Sequence, residues 1–297
     1  MLPGQRPVDW HMGGLYVTPK GELAVTCYIR EQAKERNPRE RIMGEHATAP
    51  KVYTPRLYPG RAESWVIHIW DKHGRLQMDD AVQGLPGADG VALDHDLNVY
   101  AMVRAPRVLG GKPYFDGFSQ TLMKFKARQG KFISSTEHAP VPLHPDQKPK
   151  RAPDVTRGGI GATWVEGAEW IYGGVGYGGQ GGSCVCWYAR WAFDGLHRSF
   201  VPETDHFTVA VLDAAGNLIL RLGRYGNVDS AGPQSRVPLG GDEVGLFHPN
   251  YLAVHTDRRL FIHDGGNMRI VSVKLDYHAE EQVPLRSVPD AGKAVTP

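Results

Sequence analysis

Four stretches of this 297-residue chain share one plan at a fixed spacing. Each has an apolar strand, a turn of polar residues or glycine, and a second apolar strand, and they lie at residues 13–29, 89–103, 189–203 and 250–264. When Leu15, Val91, Trp191 and Leu252 are aligned, the second strand begins eight residues later in every copy, at Leu23, Val99, Ser199 and Leu260. Because the spacing recurs without a gap, the chain is interpreted as an internal repeat, and the repeat unit determines the fold.

A second hairpin, with alternating apolar and polar residues, follows each copy at 64–82, 120–135, 207–223 and 269–285. Four antiparallel strands per unit, repeated around an axis, are the blades of a β-propeller. The segment 162–176 is interpreted as the inner hairpin of a fifth, partial unit. Since propeller blades are about 40–50 residues long, the sequence predicts an all-β, six-bladed propeller that spans residues 1–297 as a single domain, with five blades as the other count.

The composition fits this fold and excludes several functions. The chain has 36 glycines and 22 prolines, which indicates many turns and few long helices. A net charge of +2 lacks the positive excess of a nucleic-acid binder, so no nucleic-acid partner is expected. No run of about 18 apolar residues is present, so no membrane span is expected. Three cysteines are too few for a disulfide framework.

Insertions into the repeat are predicted at about 30–63, 104–118, 137–161 and 176–186. Long loops on a rigid scaffold commonly carry function. The start of the chain lacks the apolar core of a secretory signal, and its polar end suggests a domain cut from a longer protein. The compartment is therefore left open, and an extracytoplasmic location within a longer chain is compatible with these features.

The last unit reads HPNYLAVHTDRRLFIHDGGNMRIVSV at 248–273. It resembles the NHL repeat, in which a proline precedes an apolar hairpin that ends in Asp and is followed by Gly-Asn-x-Arg-Val. The matching residues are Pro249, Asp264, Gly266, Asn267, Arg269 and Ile270. We expect Asp264 to accept hydrogen bonds from turn amides, Gly-Asn to allow a left-handed bend, and Arg269 to reach Asp264. The resemblance implies a six-bladed propeller and fixes no activity.

A second carboxylate, Glu203, occupies the same aligned position as Asp264. This shared position favours a structural, turn-bonding role for both carboxylates.

Propeller sites lie at the central channel, where the innermost strands begin. The residues four places before the aligned position, which are expected to face one another there, are His11, Gly87, Trp187 and His248. Cys184 and Cys186 lie just before that place in their unit, and Asp89 just after it in another. Imidazole, thiolate and carboxylate ligands suit zinc or copper, so a metal site of His11, His248, Cys184, Cys186 and Asp89 is predicted. Zinc is the first choice, with copper or calcium as alternatives.

Each of these ligands also has a purely structural interpretation. A histidine on an inner strand is commonly a hydrogen-bonded channel residue. Two small thiols at alternate strand positions, such as Cys184 and Cys186, are commonly buried side chains without a metal.

NHL-type propellers include the peptidyl-hydroxyglycine lyase, to which this chain is distantly similar. The resemblance implies a catalytic zinc held by histidines that project from inner strands, and His11 and His248 match two such places. The third histidine has no counterpart, because the equivalent places hold Gly87 and Trp187. A cysteine, Asp89 or His46 would have to substitute.

Two classes of function follow. One is a metal-dependent lyase or hydrolase for a small molecule or a peptide-derived substrate, in which channel-lining side chains hold an anionic or polar substrate; these are Arg190, Tyr188 and Tyr251. The other is a non-catalytic scaffold that binds a protein or a glycan. The scaffold predicts an exposed aromatic patch among Trp65, Trp70, Tyr53 and Tyr58.

Overall fold

In the computed structural model the described residues are 6–7, 14–30, 63–117, 119–134, 148–157, 161–177, 189–227 and 244–275. Within them the chain forms β-strands and short 3₁₀ turns, the latter at Tyr114–Gly117, Thr204–His206 and Gly265–Asn267. The predicted all-β class is confirmed. None of the helical turns in this part of the chain is long and apolar enough to cross a bilayer.

The first blade is an antiparallel sheet numbered from the centre outward. Its strands are β1 (Arg6–Pro7), β2 (Leu15–Val17), β3 (Leu23–Arg30), β4 (Glu63–Trp70) and β5 (Leu76–Met78). Strands β1 and β2 pair with the same edge of β3, and β4 and β5 follow outward. Because β3 pairs with β4 from end to end, the predicted insertion at about 30–63 leaves and re-enters the sheet at one end of this pair.

The second blade consists of β7 (Ala88–Leu93), β8 (Val99–Val103), β11 (Gln120–Phe125) and β15 (Ala168–Val175). The predicted hairpin at 120–135 is wrong, because β12 (Gly130–Ser134) leaves this blade for a separate sheet. That sheet, the corner sheet, also contains β6 (Val82–Gln83), β13 (Val155–Arg157) and β14 (Gly161–Glu166). The predicted partial unit at 162–176 is also wrong, since β14 belongs to the corner sheet while β15 is the outer strand of the second blade.

Glycines explain this arrangement. Residues 120–134 run antiparallel to 161–175, and both strands bend together between the second blade and the corner sheet. Gly167 lies at the bend with a φ of +71°, and a Cβ there would come 2.1 Å from the carbonyl oxygen of Gln129. A Cβ on Gly130 would lie 2.7 Å from the ring of Phe125. The bend therefore requires glycine. The two paired strands continue from the second blade into the corner sheet, and residues 120–135 do not fold back on themselves as a hairpin.

The third blade contains β16 (Ala192–Phe193), β17 (Ser199–Glu203), β18 (Thr208–Leu212) and β19 (Leu218–Leu222). The fourth contains β22 (Pro249–His255), β23 (Arg259–Asp264) and β24 (Arg269–Lys274). A parallel pair, β20 (Arg224–Tyr225) with β21 (Gly245–Leu246), lies between them in sequence. A small hairpin, β9 (Val108–Leu109) with β10 (Lys112–Pro113), occupies the predicted insertion at 104–118.

The innermost strands of the blades pack directly on one another. A Cβ on Gly14 would lie 2.6 Å from the backbone of β7, and one on Gly90 would lie 2.5 Å from Nε1 of Trp191. Arg190, just before β16, forms a parallel bridge with Tyr251 in β22. Sequential antiparallel sheets whose inner strands meet in this way are the blades of a β-propeller. The described part of the chain contains four of them, and the count of six and the closure of the ring stay predictions.

Apolar side chains fill the space between blades. One buried cluster joins the first blade, the second blade and the corner sheet, and it includes Ile67, Leu93, Phe125 and Val165. A second cluster lies between the second and third blades, with Met102, Leu122 and Val201, and a third between the third and fourth, with Phe200, Val211 and Leu260. Each blade is therefore stabilised by its neighbours.

A repeated aspartate turn closes the hairpins at the end of the blades opposite to the start of the inner strands. In four turns, the Oδ1 atom of an aspartate accepts hydrogen bonds from the amides two and four residues later. These aspartates are Asp71, Asp94, Asp194 and Asp213. The residue three places later is left-handed in each turn: Gly74, Leu97, His197 and Gly216. Such local bonding fixes the hairpin register.

Candidate functional site

A buried charge cluster, the hub cluster, lies where the innermost strands begin. Asp89 in β7 is fully buried, and Nε of Arg104 lies 3.2 Å from its Oδ2 atom. An Nη atom of Arg190, from the third blade, lies 3.4 Å from Oδ1. The side-chain amide of Gln120 also donates to Asp89. One buried carboxylate thus orients two guanidinium groups, and ion pairing with hydrogen bonding offsets its desolvation.

Arg190 is the member of the hub cluster that reaches the surface. Its side chain is 28% exposed, whereas that of Arg104 is 6% exposed. The amide of Arg190 donates to the carbonyl of Asn250 at 2.7 Å, and its own carbonyl accepts from Leu252 at 3.1 Å. Because paired residues project to the same side of a sheet, the bridge sets Arg190 beside Tyr251, which is 39% exposed.

Two residues that the sequence analysis missed, Asn250 and His263, extend this site. Nδ1 of His263 lies 2.6 Å from Oδ1 of the buried Asn250, so the ring donates from Nδ1 and its Nε2 is the acceptor when the imidazole is neutral. The rings of His263 and Tyr251 are 5.6 Å apart. The signal was available in the aligned unit 250–264, because His263 lies opposite Tyr251 in the hairpin of that unit.

His248 lies at the start of the fourth blade's inner strand, as predicted from its aligned position. Its amide donates to Asp264 at 2.9 Å, and its ring meets the ring of Tyr177 at 5.8 Å. Burial lowers the pKa of His248, and the proximity of His263 lowers it further, against the opposing charge of Asp264. The imidazole is therefore neutral at pH 7, the form that can bind a metal.

The structural role expected for Asp264 is confirmed, with one correction. Its Oδ1 atom accepts from the amides of Phe247 and His248, while Asn267 and Arg269 donate to Oδ2. The left-handed residue is Met268, with a φ of +50°, and not the Gly-Asn pair. Met268 closes a 3₁₀ turn whose last amide bonds back to the carbonyl of Gly265.

Glu203 plays the corresponding part in the third blade. It is buried, it accepts from Tyr172, Thr208 and Arg221, and a left-handed Phe207 ends the 3₁₀ turn that follows it. Burial alone would raise the pKa of Glu203, but the hydrogen bonds from Arg221, Tyr172 and Thr208 lower it. Both carboxylates are therefore occupied in holding the blades.

Several predicted site residues lie outside the described residues. These are His11, Cys184, Cys186 and Tyr188, so the proposed convergence of His11, the cysteines and His248 stays a prediction. Among the side chains that the structure describes, no group of three His, Cys, Asp or Glu could hold a metal ion. Asp89 lies against two arginines, a setting that suits a counter-ion better than a metal ligand.

Of the aromatic patch expected for a scaffold, the structure describes Trp65, which is half-buried, and Trp70. Trp70 is 6% exposed, which makes that part of the expectation wrong, and Tyr53 and Tyr58 lie outside the described residues. Three other rings form a cluster in which Tyr225 and Phe247 are exposed and Phe207 is half-buried. Phe207, Tyr225 and Phe247 have ring centroids 4.9 to 6.5 Å apart.

No protein-family model matches this chain, and no curated protein matches it. A search of solved structures finds a streptogramin B lyase, with 8% identity and a TM-score of 0.33, over 93% of this chain and 58% of that one. It also finds an auxiliary nutrient-binding protein from Bacteroides thetaiotaomicron, with 9% identity and a TM-score of 0.31, over 87% and 46%. A PQQ-bound aldose sugar dehydrogenase from Streptomyces coelicolor has 14% identity and a TM-score of 0.29, over 93% and 79%.

The chain spans 58% and 46% of the lengths of the first two of these proteins. At identities of 8 to 14%, their activities are properties of those proteins alone.

Proposed function

We propose that the protein binds a small anionic or polar organic molecule at the start of the inner strands, with Arg190 and Tyr251 as its contacts. The observation that carries this proposal is the partly exposed guanidinium of Arg190, held against the buried Asp89 and next to the exposed Tyr251. The ligand class follows from these two side chains and from the charge around them.

Within the described residues of the hub cluster, one carboxylate faces two guanidinium groups. The buried Arg104 is compensated by Asp89, so the positive charge that reaches solvent is that of Arg190. A guanidinium held in one orientation binds carboxylates and phosphates through paired N–H donors. Tyr251 adds an apolar ring and a hydroxyl, which is the combination that orients small organic ligands.

The test measures the unfolding temperature of the whole chain with acetate, succinate, citrate and benzoate, and with succinamide as the uncharged counterpart. We expect at least one carboxylate, but not succinamide, to raise the unfolding temperature of the wild type. Arg190→Gln should abolish the increase. Arg224→Gln, a change to an exposed arginine on β20, should retain it.

A carboxylate that stabilises Arg190→Gln and the wild type equally would contradict this proposal. So would the absence of stabilisation by every carboxylate in the wild type.

A second candidate is a metal-dependent lyase or hydrolase of the NHL-like kind. One observation favours it. Tyr177 contacts the ring of His248, and Arg190 pairs with the strand that begins one residue after His248. The residues on both sides of 178–188 are therefore attached near the start of that strand. That stretch of sequence contains Cys184 and Cys186.

In this candidate, His11, His248, Cys184 and Cys186 would hold zinc, or copper, while Arg190, Tyr188 and Tyr251 would orient the substrate. Zinc would lower the pKa of a bound water to about 7 and so supply a nucleophile or base. Asp89 would act as the counter-ion of Arg190, in keeping with its two arginine contacts.

Elemental analysis of the purified chain tests this candidate. We expect about one zinc or copper per chain, lost in both His11→Ala and His248→Ala. His255→Ala, a change to an exposed histidine on β22, should retain it. A metal-free wild type, or equal metal content in all of these variants, would exclude the metal site.

The scaffold that binds a protein or a glycan is the remaining candidate. The exposed rings of Tyr225 and Phe247, which contact the half-buried Phe207, favour it. If the wild-type chain binds neither a carboxylate nor a metal ion, the scaffold becomes the favoured function.

A further inference from the structure

Two histidines from neighbouring blades meet at the other end of the inner strands. His95 lies in the aspartate turn that follows β7, and His197 lies in the corresponding turn after β16. Their ring centroids are 4.3 Å apart, at an interplanar angle of 70°. Asp89 lies near the beginning of β7 and His95 just past its end, so this histidine pair is separate from the hub cluster.

Both turns hold the histidine pair in place. Asp94 accepts from the amides of Asp96 and Asn98 and so fixes the turn that carries His95. In the second turn, Asp194 accepts from the amides of Leu196 and Arg198 on either side of His197. The position of the pair is thus set by backbone hydrogen bonds in two adjacent blades.

The ring of His197 is oriented by its own conformation and by an aromatic neighbour. Its φ of +59° is left-handed, which is uncommon for a residue with a side chain. The ring stacks on Phe193 at 5.7 Å with an interplanar angle of 11°. His95 is exposed, so the pair is reachable from solvent.

The charged groups around the pair compensate one another. Lys124 lies 3.6 Å from Asp94 and Arg198 lies 2.6 Å from Asp194, so the pair offers its imidazole rings as ligands and not the carboxylates. Imidazole nitrogens are ligands that divalent transition metals prefer.

If one nitrogen of each ring faces a shared ion, the distance between the rings sets the angle between the two metal–nitrogen bonds. A nitrogen that binds a metal at 2.0–2.1 Å puts its ring centroid about 3.2 Å from the ion. Two centroids 4.3 Å apart would then subtend about 85° at a shared ion. This angle suits adjacent positions of a square-planar or octahedral ion better than the wider angle of a tetrahedral one.

We propose that His95 and His197 form a binding site for a divalent cation of square-planar or octahedral preference, such as Ni²⁺ or Cu²⁺, which links the second and third blades. Water completes the coordination, because the nearby carboxylates are engaged elsewhere. Asp94 is bonded to Asn98, and Asp194 to Arg198.

Calorimetric titration of the whole chain with NiCl₂ tests the site. We expect one Ni²⁺ per histidine pair, with an affinity that falls about tenfold or more in His95→Gln and in His197→Asn. Asparagine is chosen at position 197 because it tolerates a left-handed backbone. His73→Gln is the matched control, since His73 is exposed and lies in the aspartate turn of the first blade.

The titration is run in a Cys184→Ser, Cys186→Ser chain. Metal binding by these cysteines then does not contribute to the measured Ni²⁺ affinity, and the result does not depend on the proposed zinc or copper site. The unfolding temperature without metal verifies that each variant is folded, and Ni²⁺ should raise it in the His73→Gln chain but not in the His95→Gln chain. Unchanged Ni²⁺ affinity in either His95→Gln or His197→Asn would overturn the proposal, as would an equal loss in His73→Gln.

Discussion

At the scale of single residues, buried carboxylates fix neighbouring strands and turns by accepting several hydrogen bonds each. Asp264 serves two backbone amides with one oxygen and two side chains with the other. An amide side chain has one acceptor oxygen where a carboxylate has two. The charge and both oxygens of Asp264 are therefore needed to fix the entry into the fourth blade.

We predict that Asp264→Asn lowers the free energy of unfolding by about 2–3 kcal/mol, because a buried amide would face the donors Asn267 and Arg269. Asp257→Asn, on the exposed turn of the same blade, should leave it nearly unchanged. Urea denaturation measures both. Equal stabilities of the two variants would show that Asp264 does not hold the blade.

His68 makes stability depend on pH. It is fully buried, and burial lowers its pKa from 6.5 to about 4, against the opposing charge of Asp79. The unfolded chain therefore binds more protons than the folded one between these values. Stability from the neutral ring is complete above pH 6.5 and is lost as the pH falls toward 4.

The reference variant is His68→Asn, which keeps an acceptor for the amide of Asp80. We predict that the free energy of unfolding of the wild type falls by about 3 kcal/mol more than that of His68→Asn between pH 6.5 and 4. His73→Asn, an exposed counterpart, should follow the wild type. Urea denaturation across this pH range measures the difference, and parallel curves for the wild type and His68→Asn would refute it.

Residue roles were predictable where partners are close in sequence. The role of Asp264 follows from a motif of six residues, because Asn267 and Arg269 lie within reach. The partners of Asp89 were not predictable, since Arg104, Gln120 and Arg190 come from three other segments that only the folded chain brings together. The same holds for His263 and Asn250, whose pairing depends on the register of two strands.

At the scale of elements, alternation predicts strands but not their partners. Residues 120–135 have the pattern of a hairpin, yet β11 and β12 lie in different sheets. The deciding information is in Gly130 and Gly167, where a side chain would clash and the ribbon bends. The sequence alone does not show whether a glycine lies in a turn or at a bend in two paired strands.

We predict that Gly167→Ala lowers the free energy of unfolding by about 1–3 kcal/mol more than Gly110→Ala. Both residues have a positive φ, so both substitutions bear the backbone cost, but a Cβ at Gly110 meets nothing within 4 Å. The difference isolates the contact with Gln129 at the bend. Thermal or urea denaturation measures it, and equal losses would argue against a sterically closed corner.

At the scale of the whole molecule, the eight-residue spacing predicted the blades, since inner hairpins form at all four aligned places. It could not predict how the inner strands fit. Gly90 of the second blade has no room for a side chain because Trp191 of the third blade lies against it, and Trp191 also meets Phe193. Such a fit between distant residues appears only after the blades have assembled.

We predict that Gly90→Ala destabilises the protein by about 1–3 kcal/mol, and that this cost shrinks in a Trp191→Phe background, where the ring is smaller. Gly195→Ala, with open space around it, should show no such dependence on residue 191. A double-mutant cycle by urea denaturation measures the coupling. Additive effects of Gly90→Ala and Trp191→Phe would mean that the two blades do not press on each other there.

The pairing of β11 with β15 also determines when the second blade can be completed during synthesis. The third strand of the second blade ends at Phe125, but its outer partner, β15, begins at Ala168. A nascent chain that has passed Phe125 thus carries an open strand edge until the later segment emerges from the ribosome, and such edges are prone to pair with other chains. We therefore expect chains truncated between these two points to keep that edge uncovered and to associate with other chains.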